Sequence, residues 1–253
     1  MLRELRIQKP LIHCITNHVV SNFQANGLLA FGVSPMMGDE EQEVAELTGH
    51  ADALSLNIGT ITERSLKSML IAGNAAMEKG IPIVLDPVGA GATNYRLEAV
   101  KHLLEQLDIT LLRCNAGELA AIAGADWQAR GVDAGEGEGD IAELAKKVAF
   151  TYNTLVAVTG RVDIVTDGES MEFVTAGHPL MASVTGMGCL LSAVLAAYLT
   201  DHEEQPVEAV AKGLQYYGNA GARAAKIALS PGSFQMTFLD ELSKQQEAAL
   251  HER

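Results

Sequence analysis

Short apolar runs bounded by turn residues recur along the chain at 11–15, 53–57, 81–85, 109–113 and 154–159. Each is too short for a packed helix and mostly apolar, the pattern of a strand buried on both faces. Longer stretches with helical periodicity lie between and after them, at 19–31, 61–79, 97–107, 139–152, 189–199 and 206–228. Gly80 follows the 61–79 stretch and stops it. Strand alternating with helix predicts right-handed crossovers and a mainly parallel sheet with helices on both faces, an α/β fold in three layers. Residues 164–165 and 172–174, on either side of Asp167-Gly168, predict an antiparallel hairpin. No Pro/Ser-rich linker and no internal repeat divides the chain, so residues 1–253 are expected to form one domain. The acidic, Gly-rich stretch 131–140, GVDAGEGEGD, is expected to be a solvated surface loop that shapes an approach to the site.

Composition narrows the function classes. The chain is 48% hydrophobic and only 5% aromatic, which suits helices packed closely on a sheet. Eighteen basic and 32 acidic side chains give a net charge of −14, with no basic stripe. Nucleic acid and anionic membrane surfaces are therefore poor partners. A phosphate ligand would need backbone N–H groups, a metal and one or two placed cations. Cys14, Cys114 and Cys189 are far apart, no C-x-x-C occurs and the histidines show no ligand spacing, so a zinc site is not expected. The odd thiol count fits a reducing compartment. With no signal-peptide core and no apolar run near a membrane span's length, the expectation is a soluble cytoplasmic protein.

In parallel α/β sheets ligands collect beyond the carboxyl ends of the strands. Here those ends read Asn57-Ile58-Gly59-Thr60, Asp86-Pro87-Val88-Gly89, Arg113-Cys114-Asn115-Ala116-Gly117-Glu118 and Thr159-Gly160. Asp86 and Glu118 can hold Mg²⁺ through waters, or serve only as a turn residue and a first-turn carboxylate. Arg113 ends an apolar run and needs a partner, either a phosphate or Glu118. Thr159-Gly160 can donate a hydroxyl and let a nucleotide lie flat over the backbone, or make a plain turn. Asn17, within 16–22, can cap a helix or read a polar heteroatom of a substrate. Pro35-Met36-Met37 offers soft apolar surface for a small aromatic heterocycle, or ordinary core methionines.

The stretch Val184-Thr185-Gly186-Met187-Gly188-Cys189 precedes an all-apolar helix. Its glycines permit close backbone approach, and the free N–H groups of the helix start make an anion site. Cys189 in the first turn is expected to have a lowered pKa, fit for a base or a nucleophile. The competing reading is a small buried apolar residue beside a tight turn.

Taken in order, several motifs resemble the hydroxyethylthiazole kinase family: His13-Cys14-Ile15-Thr16-Asn17, Asn26–Ala30 and Ser34-Pro35-Met36-Met37, then Leu56-Asn57-Ile58-Gly59-Thr60 and LDPVGAGAT at 85–93. The R-x-N-x-x-E of Arg113–Glu118, GVDAGEGEGD, T-G-x-G-C ending at Cys189, and Pro231-Gly232-Ser233-Phe234 continue the match across about residues 11 to 240. The resemblance implies a ribokinase-like fold and ATP-dependent phosphorylation of the hydroxyethyl group of the thiazole moiety of thiamine, in a salvage route. It implies Mg²⁺ and a homotrimer with sites at subunit interfaces. Arg113 and Thr159 match ATP-binding positions, and Met37 and Gly186 match thiazole-binding positions. Cys189 matches the catalytic position, where most ribokinase-like kinases carry Asp, and Asp86 and Glu118 sit in motifs associated with Mg²⁺ and phosphate. Backbone N–H groups of Gly186–Cys189, including Met187 and Gly188, would hold the transferring phosphoryl oxygens. The competing readings are a hydroxymethylpyrimidine or pyridoxal kinase, a dehydratase of damaged nicotinamide cofactors, and a nucleotide-binding regulatory protein without turnover.

Overall fold

The computed structural model describes residues 2–125, 137–200 and 205–244. Among them eight strands form one sheet: β1 (Leu11–Ile15), β2 (Ser34–Met37), β3 (Ala53–Asn57), β4 (Ile83–Asp86), β5 (Leu111–Asn115), β6 (Leu155–Thr159), β7 (Asp163–Thr166) and β8 (Met171–Val174). Their spatial order is β2-β1-β3-β4-β5-β6-β7-β8. The first six pair in parallel, and β7 and β8 add an antiparallel extension. The helices are α1 (Leu2–Gln8), α2 (Ser21–Phe31), α3 (Val44–His50), α4 (Glu63–Lys79), α5 (Asn94–Gln106), α6 (Ala116–Ile122), α7 (Gly137–Tyr152), α8 (Met187–Leu199), α9 (Pro206–Ala225) and α10 (Pro231–Ser243).

Neighbouring residues of one strand enter opposite cores, which is why the strands read as unbroken apolar runs. Ala53, Val84, Leu111 and Ala157 pack with α2, α8, α9 and α10 on one face. Leu54, Leu85, Leu112 and Val156 pack with α4, α5 and α7 on the other. The three-layer α/β arrangement is the one expected. Helix α8 is buried along nearly its whole length, from Leu190 to Leu199, between the sheet and α9. Its carbonyl end and its N-terminus are therefore held rigidly, and the N-terminus meets the carboxyl edge of the sheet.

Several boundaries differ from the sequence reading. The run 109–113 is displaced by two residues, because β5 pairs with β6 as far as Asn115 opposite Thr159. Arg113 thus lies within the strand instead of closing it. The 81–85 run begins at Ile83, after Pro82, and extends to Asp86. Helix α8 starts at Met187, two residues before Cys189. Helices α4 and α5 start where Thr62 and Thr93 accept hydrogen bonds from the backbone N–H of Ser65 and Arg96. Residues 35–37, apolar surface in the sequence, belong to β2, an edge strand that tolerates Pro35. The sequence pattern predicts none of α1, α3 and α10, and gives α6 only as a first turn at Glu118. The stretch 131–140 falls mostly outside the described residues, apart from 137–140, which begin α7. No described helix is long and apolar enough to cross a membrane.

Candidate functional site

The carboxyl ends of β1 and β3 to β6 each contribute a polar side chain, and hydrogen bonds and one ion pair join them in a row. Asn17, just beyond β1, accepts from the N–H of Val19 (3.1 Å) and Val20 (3.2 Å) through Oδ1. That fixes its amide, so Nδ2 donates to Asn57 Oδ1 (2.8 Å) and to Cys189 Sγ (3.5 Å). Asn57, the last residue of β3, also accepts from Gly59 N–H (2.9 Å) and donates through Nδ2 to Asp86 Oδ2 (2.7 Å). Ser192 Oγ, from α8, gives Asp86 Oδ2 a second donor at 3.0 Å. The Asp86 Oδ1 atom is buried with no hydrogen-bond partner, 3.7 Å from Arg113 Nη1. Arg113 in turn donates through Nη2 to Thr159 Oγ1 (2.6 Å), whose hydroxyl donates to Cys114 O (3.3 Å).

The N-terminus of α8 sits over the middle of this row. Gly186, its N-cap, has φ +94°, a left-handed conformation natural only to glycine, and no side chain caps the helix. The first-turn N–H groups of Met187, Gly188 and Cys189 have no intrahelical acceptor and suit an anion. Met187 turns its side chain into the core, and its carbonyl accepts from Tyr217 OH at 2.7 Å. Gly188 lets the Arg113 guanidinium lie against the backbone, since a Cβ there would be 2.7 Å from Nη1. A cavity of about 740 Å³ opens beside this point, lined by Arg113, Thr159, Met187, Gly188, His178, Leu214 and Gly218 among others. Its volume and its mix of apolar walls with a few polar groups suit a nucleotide. A second cavity of about 490 Å³, lined by Gly80, Asp108, Asn153 and Asp167 among others, lies at the opposite edge of the sheet and contains none of these residues.

Electrostatics correct one expectation. The Cys189 thiol is not lowered by the helix start but pushed up to about 11, first by burial and then by the Asp86 carboxylate. The Asn57 and Asn17 hydrogen bonds and the Arg113 charge pull it back only in part. Asp86 is raised to about 6, chiefly by burial and also by nearby Glu118, against the pull of Arg113, Ser192 and Asn57.

Glu118 closes a capping box on α6. Its N–H donates to Asn115 Oδ1 (2.9 Å), its Oε2 accepts from Asn115 N–H (2.9 Å), and its Oε1 accepts from Gly89 N–H (2.8 Å). Among the described residues no group of three or more His, Cys, Asp and Glu is arranged to hold a metal ion. Two hard carboxylates, one with an unpartnered oxygen, nevertheless fit an ion such as Mg²⁺ that keeps waters and takes its remaining ligands from substrate phosphates. Met37 stands apart from the row. It ends β2, opposite Cys14 of β1, and strand spacing sets it roughly 14 Å from β4 along the edge. The next residue, Gly38, is tied by its carbonyl to His13 Nε2 at 3.0 Å, and His13 Nδ1 meets Thr48 Oγ1 at 2.8 Å.

Sequence reasoning placed Asn57 at a strand end without giving it a role, and missed Ser192 and Arg96. A polar residue ending a buried strand, a serine inside an apolar helix and a cation in a helix's first turn are the signals each carried.

The sequence profile of the Hydroxyethylthiazole kinase family matches residues 2–248. The chain is 46% identical over 252 residues to a hydroxyethylthiazole kinase of Lysinibacillus sphaericus, covering 98% of each chain. It superposes with a TM-score of 0.88 on the structure of a hydroxyethylthiazole kinase protein from Pyrococcus horikoshii, at 40% identity, covering 96% of this chain and 91% of that one. A ribokinase-like superfamily protein from Enterococcus faecalis shares the fold at 10% identity, with a TM-score of 0.67 and coverage of 94% and 88%. With a ribokinase-like sheet, an uncapped glycine-flanked helix start over its carboxyl edge and a family match along nearly its whole length, the chain belongs to the hydroxyethylthiazole kinase family.

Proposed function

We propose that the protein transfers the γ-phosphoryl group of ATP to the hydroxyl of hydroxyethylthiazole, in thiamine salvage, with residues 1–253 working as one kinase domain. The carrying observation is the row from Asn17 to Thr159 with the α8 N-terminus over its centre. In this reading ATP occupies the 740 Å³ cavity beside Arg113 and Thr159. The thiazole lies toward Gly186 and Met37, with its hydroxyl at Cys189 near Asn17. The N–H groups of Met187, Gly188 and Cys189 and the Arg113 guanidinium hold the phosphoryl oxygens during in-line transfer. Glu118 and Asp86 would hold Mg²⁺, which neutralises phosphate charge when bound.

The high pKa of Cys189 bears on the proton. At pH 7 the side chain is a neutral thiol and takes no proton from the substrate. Phosphoryl transfer has a loose transition state, and the hydroxyl becomes acidic as its bond to phosphorus forms and the bond to the ADP oxygen breaks, so its proton leaves late, to a phosphoryl oxygen or to water, and a strong base is not required. Cys189 therefore orients the hydroxyl.

The test is ADP release with Mg²⁺ and ATP, comparing hydroxyethylthiazole, hydroxymethylpyrimidine and pyridoxal at equal concentration. Strong turnover with the thiazole alone, giving a product heavier by one phosphoryl group, is expected. Preferred turnover with another alcohol, or ATP binding without any turnover, overturns the reading. We also place the protein in the cytoplasm, where its free Cys14, Cys114 and Cys189 stay reduced. A homotrimer with sites at its interfaces completes the proposal; exposed Val19, two residues from Asn17, supplies apolar surface for it. Sedimentation as a monomer at working concentration would remove that part.

A further inference from the structure

Arg96 lies in the first turn of α5, where its N–H donates to the capping Thr93 Oγ1 at 3.3 Å. A cation is disfavoured there, because the N-terminus is the positive end of the helix dipole. Its guanidinium spans two loops by their backbone carbonyls. Nη1 donates to Ile58 O and Val88 O, and Nη2 to Gly59 O, each at 2.8 Å. Two of these carbonyls belong to peptide units whose opposite ends hold site residues. The Ile58–Gly59 unit donates its N–H to Asn57 Oδ1 at 2.9 Å. The Val88–Gly89 unit donates its N–H to Glu118 Oε1 at 2.8 Å. A peptide unit is planar, so fixing its oxygen fixes its N–H on the other side. A charged donor on that oxygen also polarises the unit and strengthens the N–H as a donor. Glycine is needed at both places: a Cβ on Gly59 would come within 2.7 Å of the Asn17 amide, and Gly89 has φ +69°.

We propose that Arg96 is a positioning residue for phosphoryl transfer, acting through these two peptide units to set Asn57 and Glu118 together. The proposal rests on the site reading given above for those two residues. One side chain on an outer helix thereby locks the loops after β3 and β4 at a fixed separation. Asn57 carries the setting on to Asp86, Asn17 and Cys189, and Glu118 carries it to the metal side.

Arg96→Ala in the full chain is expected to lower kcat/KM for Mg–ATP on the order of 10–100-fold, with kcat falling more than KM rises. Millimolar guanidinium is expected to restore part of this activity in Arg96→Ala, by refilling the space between the three carbonyls. It should leave the wild type and the space-filling Arg96→Leu unimproved. In a Glu118→Gln background Arg96→Ala should add less than it does in the wild type, the part that remains running through Asn57. Should Arg96→Ala not fold, Arg96→Lys serves instead: it keeps the charge but cannot span three carbonyls, so it should show the same kcat loss. Wild-type turnover in any folded Arg96 variant, a loss accounted for by the unfolded fraction with no guanidinium rescue, or full additivity with Glu118→Gln overturns the proposal. If Glu118→Gln itself keeps wild-type activity, the site reading fails and the proposal falls with it. If Glu118→Gln is impaired and Arg96→Ala is not, the Arg96 proposal alone falls.

Discussion

At the residue scale the decisive feature is that the same burial which organises the site also sets its charges. Cys189 stands at the third position of α8, where the helix dipole favours a thiolate, yet burial and the Asp86 carboxylate outweigh it and push the thiol up to about 11. The thiolate fraction is then very small at neutral pH and grows as pH rises. Iodoacetamide labelling of Cys189, followed by peptide mass spectrometry, should accelerate about tenfold per pH unit from neutral to pH 10 without levelling. A plateau near pH 8 would show that the helix start dominates. A thiol that orients without ionising can be replaced by another small donor, so Cys189→Ser should keep substantial turnover. A loss of several orders of magnitude with binding and folding intact would rule this out. Gly188 makes a second prediction. A methyl there would stand 2.7 Å from Arg113 Nη1, the mobile end of a long side chain. Gly188→Ala should therefore change stability by less than about 1 kcal/mol while lowering kcat at least about tenfold, because it displaces the charge that faces the phosphoryl group. Equal loss of melting temperature and activity would contradict this.

At the scale of elements, legibility followed packing. Strands β1, β3, β4, β5 and β6 announced themselves because both faces are covered, which removes polar alternation. Strand β2 did not, since Pro35 on an edge reads like a loop, and α3 and α6 are each only seven residues long. Helix α10 hid behind Pro231-Gly232, although Phe234, Phe238 and Leu242 recur at helical spacing and are fully buried. The site was legible to the extent that strand ends share an edge: Asp86, Arg113, Glu118 and Thr159 come together there. The partners of Asn57, Ser192 and Arg96 lie far away in sequence, as does the cause of the Cys189 shift, and no local pattern contains them. Helix α8 yields an element-scale prediction. Its start depends on Gly186 at φ +94°, where an added Cβ would also meet Val20 Cγ1 at 2.8 Å. Gly186→Ala should cost about 1–3 kcal/mol by thermal or denaturant unfolding. It should also depress kcat, since the first-turn N–H groups move with the helix. Unchanged stability would mean that the turn relaxes without strain.

At the scale of the whole molecule, a protein of net charge −14 has to bind a polyanionic nucleotide. The positive features face the ligand at short range: the α8 N–H groups, and Arg113 with a side chain only 12% exposed. Contacts of a few ångströms in a partly buried site are shorter than the Debye length of about 8 Å at physiological salt, so ions screen them little. The repulsion from the remaining acidic surface acts over longer distances and is screened. Added salt should therefore remove an obstacle to ATP without weakening its seat. The expected outcome is that kcat/KM for Mg–ATP stays level or rises up to a few-fold between about 20 and 150 mM NaCl at constant free Mg²⁺. A nucleotide site fed by a basic surface would behave in the opposite way, because steering and counterion release both fade with salt. A steep fall over this range would place the nucleotide against a long-range positive field, and so against surface other than the cavity beside Arg113. A level or rising profile in the wild type, lost together with ATP binding in Arg113→Ala, would tie affinity to the short-range groups over the sheet's carboxyl edge.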